Sequence, residues 1–555
     1  MEGNRASGIF VLCCLFAGQT LAQQQQDSQR EALDRLQEEE RQRFQRELDE
    51  SYMPGRRPVP DEVPASEDGD PSCFDIREIR LNNPGDPAPE ISSFLHKKLQ
   101  TYKNRCLSIK DLKSLQKELG NNLIDRGYLA SRVLLPEQSL SDGVLEFELI
   151  VGRIEGFETS NLDVALLRQA LPAQEGDAVR LSAMEQAIEN LNRVQGLDAS
   201  LDLKPGTKPG KSIIRAAGRQ QQRIAPSLLV NERFYGSTRH GTGRATLEVG
   251  QPFGWTDRAI VSVNADLDRE KSDTAWGVGL DYDIGLGYWL FKAGFNRQVY
   301  RNEVDGRFQS FVTSGETDIS RLEANRVLFR SGVTRLTAGI LGRYSDVGNF
   351  LEDNEIRVST YQLRTAGMRL DYTQKLGRWE LGTILTWEKG TARGPAADLP
   401  GGGSVAGRQY ERSKLYVSLL RPFRFLNGSV QLRLNNQYSP DQLYSSEQFS
   451  LTAEVGGYEE IAFTGNSGSS AVLEISTNHG LYNTSLRPWL RWETGLIPDY
   501  SNEAREVRLS AATAGLAVHR GRMSLTLEST WPRSGSSTEE ARNDHVARAA
   551  LQWSW

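Results

Sequence analysis

From residue 226 to Trp555 the chain runs as successive segments of roughly ten residues in which large apolar and polar side chains alternate. Over 258–267, Val261, Val263, Ala265 and Leu267 fall on one strand face, and Ser262, Asn264 and Asp266 on the other. The last segment sets Ala547, Ala549, Leu551, Trp553 and Trp555 opposite Arg548, Ala550, Gln552 and Ser554. Trp276, Val278, Leu280 and Tyr282 repeat the pattern, as do Trp289, Phe291, Ala293 and Phe295; Leu381, Ile384 and Trp387 follow it less regularly. One face of such strands can meet lipid and the other a wet lumen. Closure into a barrel leaves no backbone group unpaired in hydrocarbon. The pattern therefore predicts a membrane β-barrel rather than a soluble all-β protein, with Trp289, Trp387, Trp489 and Trp553 as interface girdle residues.

Upstream the period changes, and two units of similar length repeat one order of elements. The first predicts a strand over 74–81, helices over 89–102 and 109–125, and strands over 129–135 and 144–154. In its second helix Ser108 can cap, Leu112, Leu115, Leu119 and Leu123 form one stripe, and Gly127 can end it. The second unit predicts a strand near 154–157, helices over 164–171 and 181–194, and strands over 199–203 and 212–216. In the 181–194 helix Met184, Ala187, Ile188 and Leu191 face inward. Small α+β modules of this kind expose sheet edges that can accept an extended peptide as an added strand.

The amino-terminal 72 residues carry the address. Residues 1–22 read as a secretory signal peptide, with Cys13 and Cys14 inside its apolar core and Thr20, Leu21 and Ala22 forming the cleavage site. Residues 23–50 begin with a Gln run and continue as a charged helix whose thin stripe of Leu33, Leu36, Phe44 and Leu48 suits water or a polar cavity. Pro54, Pro58, Pro60, Pro64 and Pro71 make 51–72 an extended tether. The remaining cysteines, Cys73 and Cys106, are an isolated pair in an exported chain and predict a disulfide.

Composition removes other classes. A mean hydropathy of -0.50 with 25% charged residues excludes a helical membrane protein, since no mature stretch approaches the ~20 consecutive apolar residues of a spanning helix. A net charge of -6 without a basic block gives nucleic acid no footprint. Five scattered histidines offer no metal spacing, and no cofactor is expected. Residues 206–212 are one residue short of a phosphate-binding loop, so no nucleotide partner follows. There is no G-x-S-x-G elbow and no other catalytic constellation, so no enzyme is predicted.

A set of motifs is together specific. Cys73-Phe-Asp-Ile-Arg-Glu-Ile, Cys106-Leu, Asp125-Arg-Gly-Tyr128, Ser131-Arg-Val, Pro136-Glu-Gln138, Gly143-x-Leu and Gly152-Arg-Ile154 resemble the first periplasmic POTRA domain of two-partner-secretion transporters, the TpsB or haemolysin-activator branch of the Omp85 superfamily. Glu185-Gln-Ala, Leu191-Asn-Arg193 and Pro205-Gly-x-x-Pro-Gly-x-Ser212 resemble the second. The resemblance runs over nearly the whole mature chain. It implies an all-β membrane barrel of about 16 antiparallel strands over 221–555, POTRA domains over 73–153 and 154–220, the tether over 51–72 and a plug helix over 23–50. The implied function is an outer-membrane translocase that secretes one large partner exoprotein, recognised by its N-terminal secretion domain. Outer-membrane lipid, and the barrel assembly machinery during biogenesis, would be further partners. An Omp85-type assembly factor and a passive porin are the alternatives.

Val455-Gly456-Gly457-Tyr458, followed by Gly465, Gly468 and Glu474, resembles the family's V-R-G-Y/F pore loop, with Gly456 in place of the arginine. Arg491-Trp-Glu493-Thr-Gly495 resembles the wall motif F-x-D-x-G that receives that arginine, so both halves of the contact are altered. On a strand Arg491 and Glu493 share the lumen face, with Leu490 and Trp492 toward lipid. Either Arg491 or Arg487 is then expected to supply the missing cation, the alternative being a loop held by packing alone.

Overall fold

Sixteen long antiparallel strands, from Ile224–Tyr235 to Val546–Ser554, close into a barrel in the computed structural model. The structure describes residues 73–83, 88–235, 238–267, 274–305, 309–394, 409–458, 463–500, 505–533 and 545–555. The leader expected over 1–22, the helix over 23–50 and the tether over 51–72 lie outside the described residues. The last strand closes on the first from Val546↔Tyr235 to Ser554↔Ser227, so the sheet has no edge to present to lipid.

The alternation sorts side chains as the pattern requires. Val261, Val263, Leu267, Trp276, Leu280, Trp289, Phe291, Phe295, Leu551 and Trp553 face outward and are exposed. Across the lumen face the Asn264 and Gln298 amides meet at 3.4 Å. One expectation fails here: Ile384 is buried inside the barrel beside Glu388, and Leu385 takes the lipid-facing place. Leu381 and Ile384 are three residues apart, an odd spacing that crosses from one strand face to the other.

The first module contains β1 (Cys73–Ile76), β2 (Glu78–Asn82), α1 (Pro89–Leu99), β3 (Arg105–Ser108), α2 (Ile109–Asp125), β4 (Arg132–Leu134) and β5 (Val144–Ile150). The single strand expected over 74–81 is two strands in different sheets. The backbone N–H groups of Arg77 and Glu78 both donate to the Gly143 carbonyl, at 2.8 and 3.1 Å, and this turns the chain from one sheet to the other. β1 pairs with β3, which no sequence pattern announced, and β2 runs parallel to β5. The strand expected over 129–135 shrinks to β4. The one expected over 144–154 breaks before β6 (Arg153–Ser160), because Gly152 presses on Ala130 so closely that a Cβ there would lie 2.3 Å from the Ala130 Cβ. α2 starts as expected. Ser108 Oγ accepts from the Asp111 N–H (3.2 Å), while the Ser108 N–H donates to the Asp111 carboxylate (2.9 Å), and Leu112, Leu115, Leu119 and Leu123 are buried.

The second module adds α3 (Val164–Ala170), α4 (Leu181–Asn192), β7 (Leu197–Pro205) and β8 (Lys211–Gln220) to β6. On α4, Met184, Ala187 and Leu191 enter the core as predicted, but Ile188 is only half-buried while Gln186 and Asn190 are buried. Those polar side chains are covered because α4 also faces the barrel rim. Asn190 donates to the Gly287 carbonyl (2.7 Å), Arg330 donates to Gln186 (2.8 Å), and Glu189 pairs with Arg330 (2.5 Å) and Arg335 (2.6 Å). A bulge between Val327 and Phe329 aims Arg330 at this contact. Leu328 and Phe329 are both exposed, so the one-residue slip brings Arg330 off the lipid parity. The two modules are themselves locked: the Leu181 N–H donates to the Gly127 carbonyl (2.8 Å), and the Arg180 guanidinium lies 5.1 Å from the Tyr128 ring centroid while donating to its hydroxyl (2.8 Å).

The Cys73–Cys106 disulfide is present, with Cα atoms 5.4 Å apart and a sequence separation of 33 across the loop it closes. A chain-entropy estimate places its contribution at about 3 to 4 kcal/mol. Cys73→Ser or Cys106→Ser is therefore expected to speed proteolysis of the first module while leaving the barrel heat-modifiable on gels. Finding both thiols free in freshly exported protein, by alkylation, would refute the bridge in the cell.

A second expectation concerns pH. Desolvation alone would push the Glu189 carboxyl up, but Arg335, Arg330 and Arg193 together hold it below its ordinary value of 4.5. A carboxylate depressed by folding stabilises above its unfolded pKa and loses that contribution as pH falls through the depressed value. Docking of α4 on the rim should thus hold throughout the range above pH 4.5 and weaken only below it, read by hydrogen exchange of α4. In Glu189→Gln the contact should be weak at every pH.

A folded loop inside the barrel as the candidate functional site

Between the strands Gly428–Tyr438 and Gly468–Ser476 the chain makes its detour into the lumen instead of outward. A short helix, Leu451–Glu454, is capped by Ser450 Oγ, which accepts from the Ala453 N–H at 3.3 Å. Around it Phe449, Leu451, Val455, Tyr458 and Phe463 are buried against Ile497, Val507, Leu509 and Ala511 of the wall. Leu451 packs where Gly495 leaves room; a Cβ there would stand 2.5 Å from Leu451 Cδ1. Tyr458 sets its hydroxyl against the carbonyls of Ser510 (2.9 Å) and Arg533. Gly457 has φ +88°, in the left-handed region, with Pro532 crowding it, so a side chain is excluded on both counts.

The altered motif meets its altered partner directly. The Gly456 N–H donates to Glu493 Oε2 at 2.9 Å, so the carboxylate receives a backbone donor where the motif it resembles would supply an arginine. Glu493 is 6% exposed, and its other oxygen lies 2.5 Å from Arg491 Nε as an off-axis charge contact. Arg491 also reaches Glu528 at 3.6 Å. Arg487 does not serve Glu493; it donates to Glu474 of the neighbouring strand at 2.7 Å. Leu490 and Trp492 face outward. Trp489 overturns the girdle expectation: its ring is buried in the lumen over Gly515, because it shares the parity of Arg491 and Glu493.

Magnitudes separate packing from charge. Burial contributes about 1.5–3 kcal/mol for each of the five large apolar side chains of the loop, whereas one hydrogen bond to a charged group contributes about 1.5–3 kcal/mol in total. Packing therefore holds the loop in the lumen, and the Glu493 contact fixes where its tip lies.

Two further anchors escaped sequence reasoning. Glu454 accepts from Asn435 Nδ2 and from Ser470 Oγ, each at 2.8 Å. Glu447 enters a buried cluster with Arg343, Arg412 and Glu388, the Arg412 Nη2 to Glu447 Oε2 distance being 2.8 Å. The signal for the wall members was lumen parity with charge, but nothing in one sequence pairs residues up to 104 positions apart. Among the described residues no group of His, Cys, Asp and Glu is disposed to hold a metal.

Comparison with known proteins agrees with this architecture. The profile of the family described as haemolysin secretion/activation protein ShlB/FhaC/HecB matches residues 210–518, a ShlB-type POTRA domain matches 74–152, and a second POTRA domain matches 153–205. The outer membrane transporter CdiB of Dickeya dadantii (strain 3937) is 28% identical over 408 residues, covering 72% of this chain and 71% of its own. The hemolysin transporter protein ShlB of Serratia marcescens is 26% identical over 457 residues, covering 80% of each. The solved structure of CdiB from Escherichia coli superposes with a TM-score of 0.84 over 94% of this chain and 98% of that one, at 23% identity, and so shares its fold. With the barrel, its folded-in loop, the paired modules and a family profile spanning more than half the chain in agreement, this protein belongs to the haemolysin secretion/activation family, the outer-membrane transporters of two-partner secretion whose POTRA domains sit in the periplasm.

Proposed function

We propose that this transporter exports one large exoprotein whose N-terminal secretion domain is received by the POTRA pair, and that the pore loop governs its passage. The observation that carries this reading is the folded loop inside a closed barrel whose periplasmic rim holds the docked second module through Glu189. A porin would have no use for either part. An assembly factor for barrel proteins would need the POTRA pair but is tied to no single client. The POTRA sheets offer main-chain edges that tolerate sequence, as an unfolded client requires. In this reading strand handover and folding of the client outside the cell drive export, without hydrolysis. The charged segment 23–50 is read as a removable occupant of the polar lumen, and outer-membrane lipid and the barrel assembly machinery complete the partners.

Deleting the gene should abolish secretion of one large exoprotein, restored by complementation, while the outer-membrane proteome stays otherwise intact. Depletion of many barrel proteins would instead favour the assembly factor. The site reading is tested at the loop tip. A Cβ at residue 456 would stand 3.4 Å from Glu493 Oε2 and 3.3 Å from Thr530 Cγ2, so an arginine there starts beside the acid with modest crowding. Arg491→Ala should lower secretion about tenfold or more, the scale of one charge-assisted contact, and Gly456→Arg should partly restore it. Purely additive effects in this double-mutant cycle, or full secretion by Arg491→Ala alone, would leave packing around Tyr458 as the tip's sole tether.

A further inference from the structure

We propose that Glu447 is the positioning residue of the pore loop, a buried acid that fastens the loop's shoulder to a basic patch of the barrel wall. Three strands build that patch. Arg343 comes from Thr334–Leu351, Glu388 from Trp379–Arg393 and Arg412 from Gln409–Phe423. Arg412 pairs with Glu388 and, at 2.8 Å, with Glu447; Arg343 pairs with Glu447 and stands 3.8 Å from Glu388. Lys414 adds to the positive field at Glu388. The wall therefore carries more positive than negative charge here, and Glu447 is the acid that offsets it. The side chains of Arg412 and Glu447 are each 2% exposed and those of Arg343 and Glu388 each 10%, so water does little of this work. A charge left alone in such surroundings is far more costly than the intact pair is favourable.

The backbone is held at the same point. The Glu447 carbonyl accepts from Arg412 Nη1 (2.8 Å) and from Gln437 Nε2 (2.9 Å), and Tyr361 donates to Ser446 Oγ (3.1 Å) while its ring lies 4.4 Å from that of Tyr444. At the tip, by contrast, Gly456 offers Glu493 one N–H, and Glu493 finds a cation on its own strand. The ionic bond between loop and wall thus lies nine residues before Gly456, with the acid on the loop and the bases on the wall. Its consequence for export rests on the reading that the loop governs passage.

The test uses full-length protein in intact outer membranes, with Ser450→Cys as a reporter at a position 4% exposed and a membrane-impermeant maleimide as probe. Labelling should be slow with Glu447 in place and roughly tenfold faster, or more, in Glu447→Gln, since removing one member of a buried pair strands the others. Arg343→Gln should act in the same direction. Glu447→Gln combined with Arg343→Gln, which leaves Arg412 paired with Glu388 and strands no charge, should slow labelling again relative to Glu447→Gln, a rescue that loss of packing alone would not give. Unchanged labelling in both single variants, with the barrel still heat-modifiable, would overturn the anchor whatever happens to secretion. If the single variants do not assemble, the charge-balanced double variant decides: assembly restored supports the cluster, and assembly still lost overturns it. Faster labelling with undiminished secretion would leave the anchor standing and retire the reading that the loop governs passage.

Discussion

Everything in the membrane-embedded part depends on hydrocarbon offering no hydrogen bonds. Each backbone N–H and C=O must find a partner within the protein, and a sheet does this only by closing on itself. Closure makes the two strand faces inequivalent. Lipid claims the face of Val261, Trp276 and Leu551, and a lumen is left for the face of Asn264, Gln298 and Glu493. That lumen is where the protein can keep charged groups at membrane depth, because they face one another, as Arg412 faces Glu388 and Arg487 faces Glu474. The loop that enters the lumen must match both its apolar wall at Ile497 and Leu509 and its charged wall at Arg343 and Arg412.

Packing and charge divide the work within that loop. Phe449, Leu451, Val455, Tyr458 and Phe463 supply most of the free energy that keeps it inside, but apolar contact is non-directional and tolerates sliding. Glu447, Glu454 and the Gly456 N–H engage fixed partners on different strands and therefore set one register for the loop against the wall. A change in any of these should shift where the loop rests before it changes whether the barrel folds.

Period and capping were legible because they are local. The outward faces of the strands Asp257–Asp266, Thr274–Leu286 and Val546–Ser554, the start of α2 at Ser108 and its leucine stripe could all be read from neighbouring residues. What was lost depends on parity or on distance. Ile384 and Trp489 looked like lipid-facing residues because they are large and apolar, yet each sits an odd number of positions from its outward neighbours, Leu385 and Leu490. β3 was missed because four residues carry no period, and the break at Arg77 because its cause, the Gly143 carbonyl, lies far along the chain. The Glu447 cluster gathers three strands and a loop, and only the folded barrel brings them together.

The way the POTRA modules meet the barrel follows from the same parity rule. Without the bulge before Phe329, Arg330 would keep the outward parity of Leu322 and Leu328 and face lipid. With it, the guanidinium turns to α4 and finds Glu189, so a single irregularity in one strand adds a second cation to the seat that Arg335 already offers on the rim. Arg180 and Gly127 then join the first module to the second. The strand Thr334–Leu351 thus carries both Arg335, which holds α4 at the rim, and Arg343, which meets Glu447 in the lumen, so one wall element touches both the seat of the second module and the shoulder of the loop.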